Sequence, residues 1–143
     1  MLAIEKIQTE VVASNWQEAI EAAGKLLVNA GSCTSSYIDE MIAAVHDMGP
    51  YIVMMPHVAL AHSRPSSSVK VSDMSLAVLK EAVPFNHEHN DPVKLVFAFC
   101  ATDNDGHLAQ LTKLSGYLSD PSVVNALMNA TSAEEVVHLL EVK

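Results

Sequence analysis

The chain has 143 residues and a formal net charge of −9 at pH 7, with 17 acidic side chains against 8 Lys and Arg. This acidity and the lack of basic clusters argue against nucleic acid as a partner, because binding to a phosphate backbone depends on such clusters. Half of the residues are hydrophobic, which is enough for the core of a single domain spanning residues 1–143, and no apolar run reaches the roughly 18 residues of a membrane span.

The N-terminal segment gives no sign of export. Met1–Lys6 lacks the basic region and the following apolar region of a signal peptide, so we expect a cytoplasmic protein. Cys33 and Cys100 are far apart in the sequence, and Cys100 lies in an apolar run. In a reducing compartment these residues are expected to be free thiols and not a disulfide.

Two amphipathic helices are predicted in the first third of the chain. The first begins after Ser14 or Asn15, carries apolar residues at helical spacing and ends at Gly31. The second has an apolar face from Tyr37 to Val45 and ends at Gly49-Pro50. Each helix therefore has one apolar stripe to bury.

Four short apolar runs follow, the pattern of strands that are buried on both faces. They lie at 51–55, 58–61, 74–79 and 94–99. The polar stretches 64–68 and 86–92 predict loops, the first of them mobile. Because no helical pattern separates these strands, part of the sheet must be antiparallel, and a mixed sheet is expected.

The last third of the chain is helical. Apolar residues recur at helical spacing from Leu108, Asp120-Pro121 is a favoured helix start, and Ser132–Glu135 has the form of a capping box. Helical segments on both sides of the strand runs predict a three-layer α/β/α sandwich with a mixed central sheet.

Two histidines and an arginine are the candidate functional residues. His62 ends an apolar run, Arg64 follows it at a spacing that keeps both side chains on one side of an extended backbone, and His107 follows a candidate helix cap. An imidazole with an ordinary pKa near ~6.5 can act as a nucleophile at cell pH. From the residues alone, plain alternatives stay open: a strand-end histidine bonded to a carbonyl, a solvated loop arginine and a first-turn histidine without a role.

The segment from Met54 to Pro65, together with the Leu-x-x-Leu pattern that follows His107, resembles the EIIA domain of the bacterial sugar phosphotransferase system. The resemblance is to the mannitol/fructose type, is closest to the ascorbate-specific branch, and covers nearly the whole chain. It implies the α/β/α fold, His62 as the phosphorylated histidine and His107 as the second active-site histidine.

The resemblance also implies a phosphotransferase with defined partners. His62 would accept a phosphoryl group from HPr and pass it to a cysteine of an EIIB domain, which serves a membrane EIIC permease for a sugar, expected to be L-ascorbate. No ATP-binding motif is present, and an activated donor requires neither a cofactor nor a metal ion. Two other functions stay open: a regulatory EIIA-like phosphoprotein that feeds no transporter, and a binding module that has lost the chemistry.

Two positions depart from the family pattern. His57 stands where many relatives have glycine or another small residue, which makes it the one competitor for the phosphorylation site. An uninterrupted strand would place it on the opposite face from His62. Ala44–Asp47 stands where mannitol- and fructose-type relatives carry Arg-Glu, so that cation is either missing or supplied elsewhere, with Arg64 as the candidate.

The remaining histidines carry no motif, and His87 and His89 are expected to be solvated loop residues. For partner docking we expect an exposed apolar patch around His62, with Val58, Leu60 and the loop from Ser63 as candidates.

Overall fold

A mixed sheet of five strands forms the centre of the molecule in the computed structural model, which describes residues 2–141. The strands are β1 (Ile7–Val11), β2 (Val53–Met55), β3 (Val58–Ala61), β4 (Asp73–Val83) and β5 (Val93–Cys100). Their order across the sheet is β1-β4-β5-β3-β2. The pairs β1–β4 and β3–β5 are parallel, while β4–β5 and β2–β3 are antiparallel. The predicted mixed sheet is confirmed.

Helices cover both faces of this sheet. They are α1 (Trp16–Asn29), α2 (Ser35–Met48), α3 (Asn104–Leu118), α4 (Pro121–Met128) and α5 (Ala133–Glu141). Successive residues of β4 alternate between two cores: Ala77 packs with α1 and α2, whereas Leu76 and Val78 pack with α3, α4 and α5. The continuously apolar strands follow from this arrangement, because both faces of the sheet are buried. The predicted three-layer sandwich is also confirmed.

Local signals place the ends of the first two helices. The side chain of Asn15 accepts a hydrogen bond from the amide of Glu18, and the Glu18 carboxylate accepts one from the amide of Ser14. These two hydrogen bonds satisfy the amides of Glu18 and Ser14, and Asn15 is the N-cap from which α1 starts at Trp16. Helix α2 ends before Gly49, whose φ of 80° lies in the left-handed region that favours glycine.

The sequence analysis missed β1. This strand lies at the edge of the sheet and pairs with β4 alone, and only its two end residues, Ile7 and Val11, are buried. Three polar residues between two apolar ends give no apolar run. The strand forms because its backbone pairs with β4, and no local sequence pattern indicates such pairing.

Candidate active site

His62 lies directly after β3, at the sheet edge where β5 also ends. The two strands are parallel, with Ala61 opposite Ala98, so the residue after β3 meets the residue after Ala98. The His62 ring stacks on Phe99, with ring centroids 4.7 Å apart and planes 16° apart. The parallel pairing thus places the His62 ring against the apolar ring of Phe99.

One ring nitrogen of His62 has a fixed partner. Nδ1 lies 2.7 Å from the backbone oxygen of Leu60. A carbonyl oxygen can only accept, so Nδ1 carries the proton and donates it. The other nitrogen, Nε2, then holds the lone pair. The plain alternative of a strand-end histidine bonded to a carbonyl therefore applies to Nδ1, and it leaves Nε2 available as a nucleophile.

The surroundings of His62 keep its ring neutral. Burial lowers the pKa of His62 below its ordinary value, the bond to the Leu60 carbonyl opposes this shift, and the nearby His107 adds to the lowering. A histidine with a lowered pKa is unprotonated at neutral pH. The ring is thus in the form that nucleophilic attack requires.

The start of α3 brings His107 to the same place. Asp103 caps the helix: its carboxylate accepts from the amide of Gly106 at 2.7 Å, and its backbone oxygen accepts from the amide of His107 at 3.0 Å. The His107 ring lies 5.3 Å from that of His62, centroid to centroid, and is nearly perpendicular to it at 73°. Two residues that are far apart in the sequence thus face each other at one edge of the sheet.

Gly106 allows this close approach of α3. A Cβ atom at this position would lie 2.7 Å from Oγ of Ser72 and 3.3 Å from the carboxylate of Asp103. The Ser72 hydroxyl is itself held, since it accepts a hydrogen bond from the amide of Thr102 at 3.0 Å. A side chain at position 106 would therefore displace the helix turn that carries His107.

Arg64 completes the cluster. Its exposed side chain lines a cavity of about 590 Å³ together with His62 and His107. Within residues 2–141, the guanidinium of Arg64 makes no ion pair or hydrogen bond. The structure thus joins a neutral imidazole nucleophile, a second imidazole and an unpaired cation around one open cavity. Such a group of side chains suits the covalent capture of an anionic group.

The whole chain, residues 1–143, matches the family model described as "Phosphoenolpyruvate-dependent sugar phosphotransferase system, EIIA 2". The chain belongs to this EIIA family. The membership predicted from the sequence is thereby confirmed. EIIA components are phosphotransferases that carry a phosphoryl group between proteins, and this chain is one of them.

Individual relatives agree with this membership. The ascorbate-specific EIIA component of Salmonella typhimurium is 32% identical over 136 residues, which are 94% of this chain and 88% of the relative. The solved complex of enzyme IIAMTL with phosphorylated enzyme IIBMTL from Escherichia coli contains a chain with a TM-score of 0.88 and 28% identity, covering 100% of this chain and 99% of that one. The nitrogen regulatory protein IIA-Ntr of Neisseria meningitidis has a TM-score of 0.79 and 29% identity, covering 97% of this chain and 95% of that one.

The apolar surface of this EIIA domain differs from the expected one. Val58 and Leu60 are only 0% and 7% exposed, because β3 is covered by helices, so the prediction that they form a docking patch is wrong. Other apolar side chains near the site are exposed instead: Met48 is 62% exposed, Tyr51 36% and Leu108 64%. Met48 and Tyr51 line the cavity, and Leu108 follows His107 in the chain.

His57 lies outside the cluster. It precedes β3 whereas His62 follows it, and five extended residues at ~3.3 Å each separate the two by roughly 16 Å. The Nδ1 atom of His57 lies 2.7 Å from the backbone oxygen of Pro92, and its φ is 71°. A left-handed backbone is the conformation that glycine adopts most easily, so this is a turn position. The loop histidines are also placed apart, since the ring of His87 accepts from the amides of His89 and Asn90.

Tyr37 is a buried hydrogen-bonding residue beside the candidate site that the sequence analysis did not identify. The fully buried phenol donates to the backbone oxygen of Phe99 at 2.9 Å and accepts from the amide of Ser63 at 2.9 Å. Burial raises the pKa of Tyr37 above its ordinary value, so the hydroxyl keeps its proton. Helical spacing predicted that this residue is buried, but nothing in the sequence indicated that it joins the ends of two strands beside His62.

Proposed function

We propose that residues 1–143 act as one cytoplasmic EIIA domain in which His62 is the phosphoryl acceptor. The single observation that supports this most is that the two ring nitrogens of His62 differ in their hydrogen bonding. Nδ1 donates to the Leu60 carbonyl, so the lone pair is on Nε2 of a ring that lines an open cavity. Within residues 2–141, no helix is long and apolar enough to cross a membrane.

The proposed reaction is an in-line phosphoryl transfer between two imidazoles. The lone pair of His62 Nε2 attacks the phosphorus of phospho-HPr, and the electron pair of the broken P–N bond returns to the HPr histidine. The proton on Nδ1 stays in place, and its bond to the Leu60 carbonyl becomes stronger as the phosphorylated ring gains positive character. In the second half-reaction an EIIB cysteine thiolate attacks the phosphorus, and the electron pair returns to His62. The donor is already activated, so the step uses no cofactor and no metal ion.

Charge stabilisation falls to His107 and Arg64. His107 faces His62 at 5.3 Å between ring centroids, and the guanidinium of Arg64 lines the same cavity. Both can donate hydrogen bonds to phosphoryl oxygens, where charge is spread in the transition state. The start of α3 adds backbone dipoles that favour an anion.

The apolar rim of Met48, Tyr51 and Leu108 is the proposed contact surface for HPr and EIIB. All three side chains are exposed; Met48 and Tyr51 line the cavity, and Leu108 follows His107 in the chain. A partner that covers them brings its own histidine or cysteine to His62. The EIIC permease would meet this domain only through EIIB. The complex of IIAMTL with phosphorylated IIBMTL, whose EIIA chain has the fold of this protein, supports pairing with an EIIB domain.

L-ascorbate is the proposed sugar, because the Salmonella relative is an ascorbate-specific component with 32% identity. An EIIA domain does not contact the sugar, so this assignment depends on the EIIB domain with which the protein pairs. A regulatory role without transport is the second candidate. It is favoured by the similarity to the nitrogen regulatory IIA-Ntr protein, at 29% identity. A binding module without chemistry is disfavoured, because His62 and His107 lie in contact.

A reconstituted phosphorylation assay tests the proposal. The protein is incubated with phosphoenolpyruvate, enzyme I and HPr, followed by mass spectrometry under mildly alkaline conditions that preserve phosphohistidine. We expect one phosphoryl group on wild type and on His57→Ala, and none on His62→Ala. Labelling of His62→Ala would overturn the assignment. Transfer from the labelled protein to a purified ascorbate-type EIIB separates transport from regulation.

A further inference from the structure

One carboxylate of α2, that of Glu40, bonds two serines of the loop that carries Arg64. Ser66 donates from its hydroxyl to Oε1 of Glu40 at 2.7 Å, and Ser68 donates from its hydroxyl to Oε2 of the same residue. Each carboxylate oxygen thus receives one serine. The Ser66 hydroxyl also accepts from the amide of Ser68 at 3.2 Å. The segment expected to be a mobile loop therefore has more fixed contacts than its serine-rich sequence predicts.

The other end of the segment is held from the same helix face. Tyr37 precedes Glu40 by three residues on α2, so both side chains lie on one side of the helix. Tyr37 bonds the amide of Ser63, and Glu40 bonds the serines beyond Pro65. Arg64 is thus located between two anchors that α2 provides.

Glu40 contacts the cavity without neutralising its cation. It lines the cavity together with Arg64, yet no ion pair joins the two within the described residues, 2–141. Both of its oxygens accept from hydroxyl groups, which satisfies a carboxylate that would otherwise attract the guanidinium. The arrangement keeps Arg64 beside His62 and leaves the guanidinium free for an incoming anion.

We infer that Glu40 is a positioning residue for phosphoryl transfer. It acts through Arg64: the Glu40–Ser66–Ser68 clamp holds the loop so that the guanidinium is already oriented when the phosphoryl group arrives. The inference rests on the proposed function. Preorganised charge costs no reorganisation during the reaction, and a mobile arginine would have to be ordered at that moment.

Two variants remove the clamp by different routes. Glu40→Gln offers one acceptor oxygen instead of two, and the Ser66→Ala/Ser68→Ala pair removes both donors. Each should slow phosphoryl acceptance from phospho-HPr about tenfold, the effect of losing one oriented charged contact. Matched controls are Asp39→Asn, which removes the neighbouring exposed carboxylate of α2, and Ser67→Ala, the exposed serine between the two donors. Both controls should react at the wild-type rate.

A double-mutant cycle distinguishes positioning from a general structural role. In an Arg64→Ala background, Glu40→Gln should cost less than twofold, because the group that it positions is gone. An equal loss in both backgrounds would overturn the inference, and so would wild-type rates in both clamp variants.

A second readout is independent of phosphoryl transfer. Backbone NMR relaxation of unphosphorylated Glu40→Gln should show increased mobility of the amides of residues 66–68, with no change in Asp39→Asn. If the wild type accepts phosphate but the amides of residues 66–68 are unchanged in Glu40→Gln, the inference is overturned and the proposed function stands. A wild type that is not labelled by phospho-HPr overturns the proposed function instead, whatever the amides show.

Discussion

Replacing His107 by alanine removes the ring that faces the nucleophile. The two ring centroids are 5.3 Å apart, and within residues 2–141 the His107 ring has no hydrogen-bond partner. At this separation an oxygen of a phosphoryl group on His62 is within reach of a His107 nitrogen. A hydrogen bond to a charged group contributes about 1.5–3 kcal/mol. The loss corresponds to a rate about ten- to a hundredfold lower, since each ~1.4 kcal/mol is a factor of ten.

Rapid-quench kinetics of both half-reactions measures this loss. His107→Ala should still accept phosphate from HPr, slowly, because the bond-forming nitrogen belongs to His62. Transfer to EIIB should also be slower. His107→Gln, which keeps a donor, should recover part of the rate, and His138→Ala, which alters an exposed histidine of α5, is the matched control. If His107→Ala accepts phosphate from HPr and transfers it to EIIB at wild-type rates, His107 does not stabilise the phosphoryl group and is a first-turn residue without a role.

The packing around the cavity gives three further outcomes. Tyr37→Phe removes the hydroxyl that bonds the Ser63 amide and the Phe99 carbonyl, so the free energy of unfolding in urea should fall by about 1–3 kcal/mol. An unchanged free energy of unfolding would contradict the contribution of these buried hydrogen bonds. Because burial lowers the pKa of His62, its NMR titration should have a midpoint below the ordinary ~6.5. The stability contributed by the neutral ring should be present above that value and be lost as the pH falls through the lowered pKa, a loss that His62→Gln removes. Gly106→Ala should slow phosphoryl acceptance several-fold because its Cβ meets Ser72, whereas Gly116→Ala, with open space around its Cβ, should leave the rate unchanged.

The fold was largely predictable because both faces of the sheet are buried. Burial on two faces requires continuous apolar runs, and β3, β4 and β5 appear as such runs in the sequence. Helix ends followed from Asn15, Asp103 and Asp120, which cap α1, α3 and α4 with their side chains. The edge strand β1 could not be predicted in this way, because a strand with one neighbour and polar middle residues leaves no comparable pattern.

The sequence indicated candidate site residues but not their geometry. Local context made His62 and His107 candidates, and their roles were implied only by the family resemblance. The parallel register of β3 and β5 places His62 beside Phe99, and the start of α3 places His107 against it. Exposure was predicted wrongly for Val58 and Leu60, because hydrophobicity cannot tell a strand residue under a helix from one at a rim. The exposed apolar rim instead comes from side chains at the end of α2, after it and at the start of α3.

The hydrogen bonds from α2 to the loop after β3 also could not be predicted from the sequence. Tyr37 and Glu40 have ordinary places on an amphipathic helix. Their roles arise only when the chain after β3 passes that helix, which brings Ser63 and Ser66 within hydrogen-bonding distance. Sequence patterns report which face is buried, and they do not report which polar atom meets which backbone group across the fold.

In the proposed reaction Nε2 of His62 forms the bond to phosphorus, since Nδ1 is held by the Leu60 carbonyl. NMR of protein labelled at the histidine ring nitrogens, phosphorylated by phosphoenolpyruvate, enzyme I and HPr, identifies the bonded nitrogen directly through its coupling to phosphorus. We expect the coupled nitrogen to be Nε2 of His62, with the proton of the same ring retained on Nδ1. Coupling to Nδ1 of His62, or to either nitrogen of His57, would show that the bond to phosphorus is assigned to the wrong nitrogen.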